Sequence, residues 1–174
     1  MSEISQAQPG QTGWRGNIGQ MSRDELDAFL AMGTLCHLAC LKDDDTPYVV
    51  PCWFDWNGEA FHIIPRQRSA WAGYLQRRPA VALAISEPTP PYRKVQVEGT
   101  AVIVEEPNVG GTWVLIGRNM SLRYLGEHGP DYLEPTMNQP RWLIRVEPRR
   151  IMTWQGVGWH PRYVVSEGAA GNSR

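Results

Sequence analysis

The chain has 174 residues, of which 42% are hydrophobic and 20% charged, with a formal net charge of −1. That length predicts one domain with its own core, and the balanced charge argues against a nucleic-acid partner, which selects for a basic excess. No run approaches the roughly 20 apolar residues of a membrane span, so no membrane partner is expected.

Residues 1–20 are polar, Gly-rich and without period. A mobile arm is expected there, with no signal peptide, and the cytoplasm is the expected location. Ser22-Arg23-Asp24-Glu25 reads as a capping box, with Leu26, Phe29 and Leu30 following at helical spacing and Gly33 as the stop. Residues 34–41 and 48–56 read as strands around a charged turn at 42–47. Asn57-Gly58 is a hairpin signal, because both residues tolerate positive φ. With 60–65 as the returning strand, three consecutive antiparallel strands are expected.

Ser69 is the expected N-cap of a helix over 70–78, ended by Pro79. Residues 81–86 and 93–104 read as strands joined by a proline-rich loop. Val95, Val97, Gly99, Ala101 and Ile103 share one face of the second. Residues 108–124 hold a longer helix, with Trp113, Ile116 and Met120 at helical spacing. Residues 126–139 read as loop or irregular helix, and 141–146 and 151–155 as two final strands. The expected division is an arm at 1–20, one domain at 21–156 and a tail at 157–174. Seven strands with short helices predict a mainly β, α+β fold: a closed antiparallel barrel with helices on its rim.

The three cysteines carry no evident staple. Cys36 and Cys40 lie four residues apart on one strand, roughly 13 Å, too far for a disulfide. Cys52 lies in another apolar run, and the three read as small core filler in a reducing compartment. The four histidines are scattered without metal-ligand spacing, so no metal is expected. Asp43-Asp44-Asp45 reads as a solvated turn. No nucleophile elbow, Walker loop or dinucleotide fingerprint is present.

The richest stretch for chemistry is 61–69, where a strand ends, Arg66 and Arg68 follow, and a helix begins at Ser69. Free N–H groups at a helix start, planar guanidinium donors and a hydroxyl suit a phosphate. A solvated loop with an ordinary cap would read the same way. Tyr92-Arg93-Lys94 is a second cluster of donors, facing either the same ligand or solvent. Pro51 interrupts a strand, which leaves main chain open to a flat heterocycle or simply bends the barrel. Eight tryptophans supply core and, in part, walls for a planar ring.

Taken in order, Thr46-Pro47-Tyr48-Val49-Val50-Pro51-Cys52-Trp53-Phe54, Arg68-Ser69-Ala70-Trp71, Arg78-Pro79-Ala80-Val81-Ala82-Leu83 and Val97-Glu98-Gly99-Thr100-Ala101 resemble the pyridoxamine 5'-phosphate oxidase-like split-barrel flavoproteins. The resemblance covers about residues 21–153. It implies a split antiparallel barrel with short peripheral helices, forming a homodimer with FMN, or the deazaflavin coenzyme F-420, at the interface. It implies that Val49, Val50, Pro51 and Cys52 line the isoalloxazine with main chain. It further implies that Ile63, Ile64 and Pro65 lie beside the ring or ribityl chain, that Arg68 and Ser69 hold the phosphate, and that Lys94 or Arg93 approaches from the next strand. Trp71 stands, after Ala70, where the family often has Lys or Arg. Trp159, His160 and Arg162 are expected to reach a partner's flavin.

The resemblance implies an oxidoreductase that transfers hydride to or from a small organic substrate. The basic C-terminal constellation of the true pyridoxamine phosphate oxidases is not evident in 154–162, and the Glu-Gly-Thr-Ala strand is more similar to the deazaflavin-dependent branch. A non-catalytic flavin binder or carrier and a haem-handling barrel are the alternatives. No acid or base is singled out; Tyr92, His62 and Tyr124 are candidates.

Overall fold

The computed structural model describes residues 15–163. The sequence's helix, sheet and turn signals are resolved into four α-helices and seven strands. Helix α1, Arg23–Leu30, starts as its sequence predicts: Ser22 Oγ accepts from Glu25 N–H, and the Glu25 carboxylate accepts from Ser22 N–H. Its Leu26, Phe29 and Leu30 are buried against the sheet.

The strands are β1 (Cys36–Leu41), β2 (Pro47–Cys52), β3 (Asp55–Trp56), β4 (Phe61–Ile63), β5 (Ala80–Ser86), β6 (Lys94–Asn108) and β7 (Arg141–Trp154). They form one sheet in the order β2-β1-β5-β6-β7-β4-β3, antiparallel throughout. β2 and β3 occupy opposite edges, yet only Trp53 and Phe54 separate them in the chain. Three Cα steps span at most about 11 Å, so the two edges must come together and the sheet curls into a barrel. The edges are not paired with each other, and the barrel is split there. The mainly β, split-barrel architecture is the one the resemblance implies; the closed barrel expected from the strand count is not formed, because the β2 and β3 edges stay unpaired.

Three details differ from expectation. Residues 48–56 are two strands rather than one, because the chain crosses from one barrel edge to the other at Trp53-Phe54. Three consecutive strands therefore do not pair in series. The Asn57-Gly58 turn does join a hairpin, β3 to β4, with Gly58 at φ 93° and Asn57 Oδ1 accepting from the N–H groups of Glu59 and Ala60. The two expected final strands are one, β7; a bulge near Arg149 absorbs Pro148, which sits opposite Gly99. A Cβ at Gly99 would lie 2.7 Å from Glu147 O, so only glycine permits this close approach.

The inward faces of β1, β5, β6 and β7 fill the barrel with Leu38, Leu83, Ile85, Val95, Val97, Ile144 and Val146. Helix α2, Ala70–Arg77, adds Trp71, Ala72 and Leu75 to this core. The acidic turn at 43–45 is anchored by the end of α2: Arg77 forks onto Asp43 with two 2.8 Å bonds, and Arg78 pairs with Asp45. Helices α3 (Trp113–Leu125) and α4 (Gly129–Leu133), with short 3-10 turns after each, cover one end of the barrel and carry Trp113, Met120 and Leu133 inward.

Helix α3 also satisfies the crossing. Tyr124 Oη accepts from Phe54 N–H at 3.2 Å and donates to Thr34 O at 3.0 Å. Arg123 donates to Phe54 O and pairs with Asp55 at 2.6 Å, both side chains largely shielded. Main-chain groups stranded between two sheet edges thereby find partners.

Residues 15–20 of the expected arm and 155–157 at the domain's end are hydrogen-bonded together, through the Gly19–Gln155 bridge and Val157 N–H to Arg15 O. The rest of the expected arm, 1–14, and of the tail, 164–174, lie outside the described residues. No helix among the described residues is long and apolar enough to cross a membrane.

Candidate cofactor site

The end of β2, the end of β4, the start of α2 and the start of β7 meet under α3 and α4. They enclose a cavity of about 300 Å³. Its floor is Pro51, Cys52, Ile63 and Ile64; its roof is Trp113, Gly117, Met120 and Leu133; Trp53 and Tyr132 wall one side. Trp53 is held by stacking on Tyr124, with centroids 4.7 Å apart and planes 8° from parallel, and Tyr132 leans against it at 5.2 Å. The wall is thus flat, aromatic and fixed.

Its polar groups are Arg66, Ser69 and Arg141. Arg66 follows β4 and bridges Arg141 through main chain at the first residue of β7. Two guanidinium groups are therefore delivered to one corner by adjacent strand ends. Arg141 is only 8% exposed. Its Nη2 donates to Thr136 Oγ1 at 2.7 Å, its plane lies over Trp113 with the guanidinium carbon 5.4 Å from the ring centre, and its buried Nε has no acceptor. No carboxylate pairs with Arg141 or Arg66 among the described residues. Burial, and then the like charge of Arg66, press the Arg141 pKa below its usual value. A buried cation with an unused donor is costly unless an anion completes it.

Of the residues singled out from sequence, Pro51, Cys52, Ile63, Ile64 and Ser69 come together here. Val50 faces inward beside them, Pro65 is buried next to Ile64, and Val49 faces outward, 59% exposed. Arg68 is exposed and lines neither this cavity nor the one described next. Ser69 precedes α2 but makes no side-chain cap bond, which leaves its hydroxyl to the cavity. Trp71 is buried in the core and so offers nothing polar at the helix start. Arg141 was not visible as a site residue: it lies 72 positions after Ser69, and only the β4–β7 pairing brings it there.

Lys94 lies elsewhere. With Tyr92, Arg150, Trp154, His160 and Arg162 it lines a broad second cavity of about 1130 Å³ on the outer side of β6 and β7. The ionisable groups lining it are basic or phenolic, without a carboxylate. Arg93 turns away to Glu87, 2.8 Å distant, and stacks over Phe29. His62 and Tyr124 line neither cavity; burial lowers the His62 pKa, and raises that of Tyr124 to about 12.

A seven-stranded split barrel whose strand ends converge on an aromatic, cationic cavity defines the class. The pyridoxamine 5'-phosphate oxidase family profile matches residues 22–155, and the chain belongs to that family. Among solved structures, the conserved hypothetical protein Rv2991 of Mycobacterium tuberculosis is 25% identical, with a TM-score of 0.63 over 83% of this chain and 90% of that one. An F-420 reductase is 26% identical, with a TM-score of 0.54 over 72% of this chain and 94% of that one. Uncharacterized protein RA0666 of Rhizobium meliloti is 36% identical over 69 residues; the match covers 38% of this chain and less than half, 43%, of that relative.

Proposed function

We propose that the protein is an oxidoreductase that binds a phosphorylated flavin-type coenzyme, FMN or F-420, in the cavity beneath α3. The observation that carries this reading is Arg141: buried, paired with no carboxylate among the described residues, and with a donor unused. Family membership and the likeness to an F-420 reductase supply the coenzyme class.

In this reading Arg141 and Arg66 hold the anionic tail, and Ser69 donates a third hydrogen bond. This pair takes over from the helix-start cation that Trp71 replaces. Trp53 and Tyr132 flank the planar ring, and the main chain around Pro51 and Cys52 meets its polar edge. The coenzyme supplies hydride transfer when bound; the chain's residues orient it and exclude water. With Arg141 inside, the low-dielectric corner strengthens each contact to the anion.

The cavity is at the lower limit for a small-molecule pocket, so part of a tricyclic coenzyme would stand outside it. We propose that a second copy covers that part with the basic face around Lys94 and Arg150, forming a homodimer. A face with aromatic and cationic side chains but no lining carboxylate is suited to an anionic aromatic ligand. A small organic substrate would then stack on the exposed ring face.

The test is to release and weigh the small molecule that copurifies, then to titrate FMN and F-420 into the stripped protein. Binding of either, followed by turnover with a reduced donor, supports the reading. Failure of both to bind overturns it; tight binding without turnover with any donor would make the protein a carrier. Light scattering with and without coenzyme tests the dimer.

A further inference from the structure

Cys36 opens β1 and Cys52 closes β2, and the antiparallel register sets them opposite one another. Directly opposed residues in such a pair have Cα atoms about 4.5–5.5 Å apart, within the span of about 4.4–6.8 Å that a disulfide uses. Both side chains point to the inner face. Cys36 is fully buried, and Cys52 is half-buried against the same core. The neighbouring Cys52 thiol, together with burial, pushes the Cys36 pKa upward. Cys52 lines the cavity beneath α3 and Cys36 does not. The third thiol, Cys40, is buried and faces Tyr48 across the same strand pair.

We propose that Cys36 and Cys52 are a redox-active dithiol at the cavity, which hydrogen peroxide entering that cavity converts to a cross-strand disulfide. Cys52 is the sulfur that peroxide meets, because it alone of the three reaches the cavity. Its thiolate attacks one peroxide oxygen: an S–O bond forms, the O–O bond breaks, and the departing hydroxide combines with the proton Cys52 released. The product is a sulfenic acid and one water. The Cys36 sulfur then attacks the Cys52 sulfur; the S–S bond forms, the S–O bond breaks, and hydroxide leaves as water with the Cys36 proton. Two thiols lose two electrons and two protons, and one peroxide becomes two waters. The neighbouring thiol favours this closure over further oxidation of Cys52, because the resolving sulfur is already in place. The pairing of the two thiols across the strands does not depend on what the cavity binds.

Thiol titration of the whole protein after peroxide treatment and denaturation tests this. The three free thiols of the reduced chain should fall to one, with a peptide map joining Cys36 to Cys52 within one chain, and a reductant should restore all three. Cys40→Ser should fall from two thiols to none. Cys36→Ser should leave a sulfenic acid at Cys52 that dimedone traps. Persistence of three thiols, a bridge that includes Cys40, or a bridge between chains overturns the proposal. The map of the wild-type protein decides this even if a serine variant does not fold.

Discussion

The guanidinium of Arg141 lies 5.4 Å from the centre of the Trp113 indole ring, and the indole N–H is itself tied to Asn108 O at 3.0 Å. The ring is therefore a fixed platform that holds a buried, uncompensated cation beside the cavity. Such a charge is a poor choice for stability alone. Arg141→Met keeps an unbranched, apolar stem as far as the position of Nε and removes the charge that lies over Trp113. It should stabilise the ligand-free protein by about 1 kcal/mol in urea unfolding. The same variant should weaken binding of a phosphorylated coenzyme at least about ten-fold.

Tyr124 closes the gap where the barrel splits, with its hydroxyl bonded to both Phe54 and Thr34. Tyr124→Phe retains the stack on Trp53 and loses only those bonds. Leaving a buried N–H and C=O unmatched should cost about 1–3 kcal/mol, read as a lower urea midpoint with an unchanged slope.

Arg93 forks onto Glu87, whose side chain is 9% exposed, and holds the Glu87 carboxyl below the usual carboxylate range. A carboxyl whose folded value is lowered stabilises the fold above its unfolded value, about 4.3, and loses that contribution as pH falls through the folded value. Glu87→Gln should therefore be less stable than wild type by about 1–2 kcal/mol at pH 7. The difference should shrink steadily below about pH 4.5. Urea unfolding at several pH values measures this; a pH-independent gap would show that lost packing, not charge, is responsible.

Gly117 sits inside α3 with its face to the cavity. A Cβ there would meet Ile64, Trp113 and Leu133 at 3.7–3.8 Å, which is ordinary contact. Gly117→Ala should raise stability by up to about 1 kcal/mol through helix propensity. Gly117→Phe should fill the cavity and abolish coenzyme binding, as followed by fluorescence quenching.

Where a local signal and the fold agree, the sequence was legible. The Ser22–Glu25 capping box, the alternation of Val95, Val97, Gly99 and Ala101, and the Asn57-Gly58 turn each depend on neighbours a few residues away. What was not legible depends on pairing over long separations. Trp53-Phe54 carries no breaker, and the strand is broken there only because the barrel must close. Pro148 resembles a strand end until Gly99 provides the bulge opposite it. Arg141 and the Cys36–Cys52 pair become meaningful only once strand register is known, since sequence spacing measures distance along one strand and not across two. Arg66 and Arg141 line the cavity through the same long-range pairing, whereas Arg68 is exposed and lies outside its lining.

In the proposed function Arg66 and Arg141, from two strand ends, hold the anion of a planar coenzyme. Titration of FMN and F-420 into stripped wild type, Arg141→Met and Arg68→Ala tests it most directly. The account predicts tight binding of one coenzyme by wild type, at least about a ten-fold loss in Arg141→Met, and near wild-type affinity in Arg68→Ala. Unchanged affinity in Arg141→Met, or binding of neither coenzyme by wild type, would contradict it.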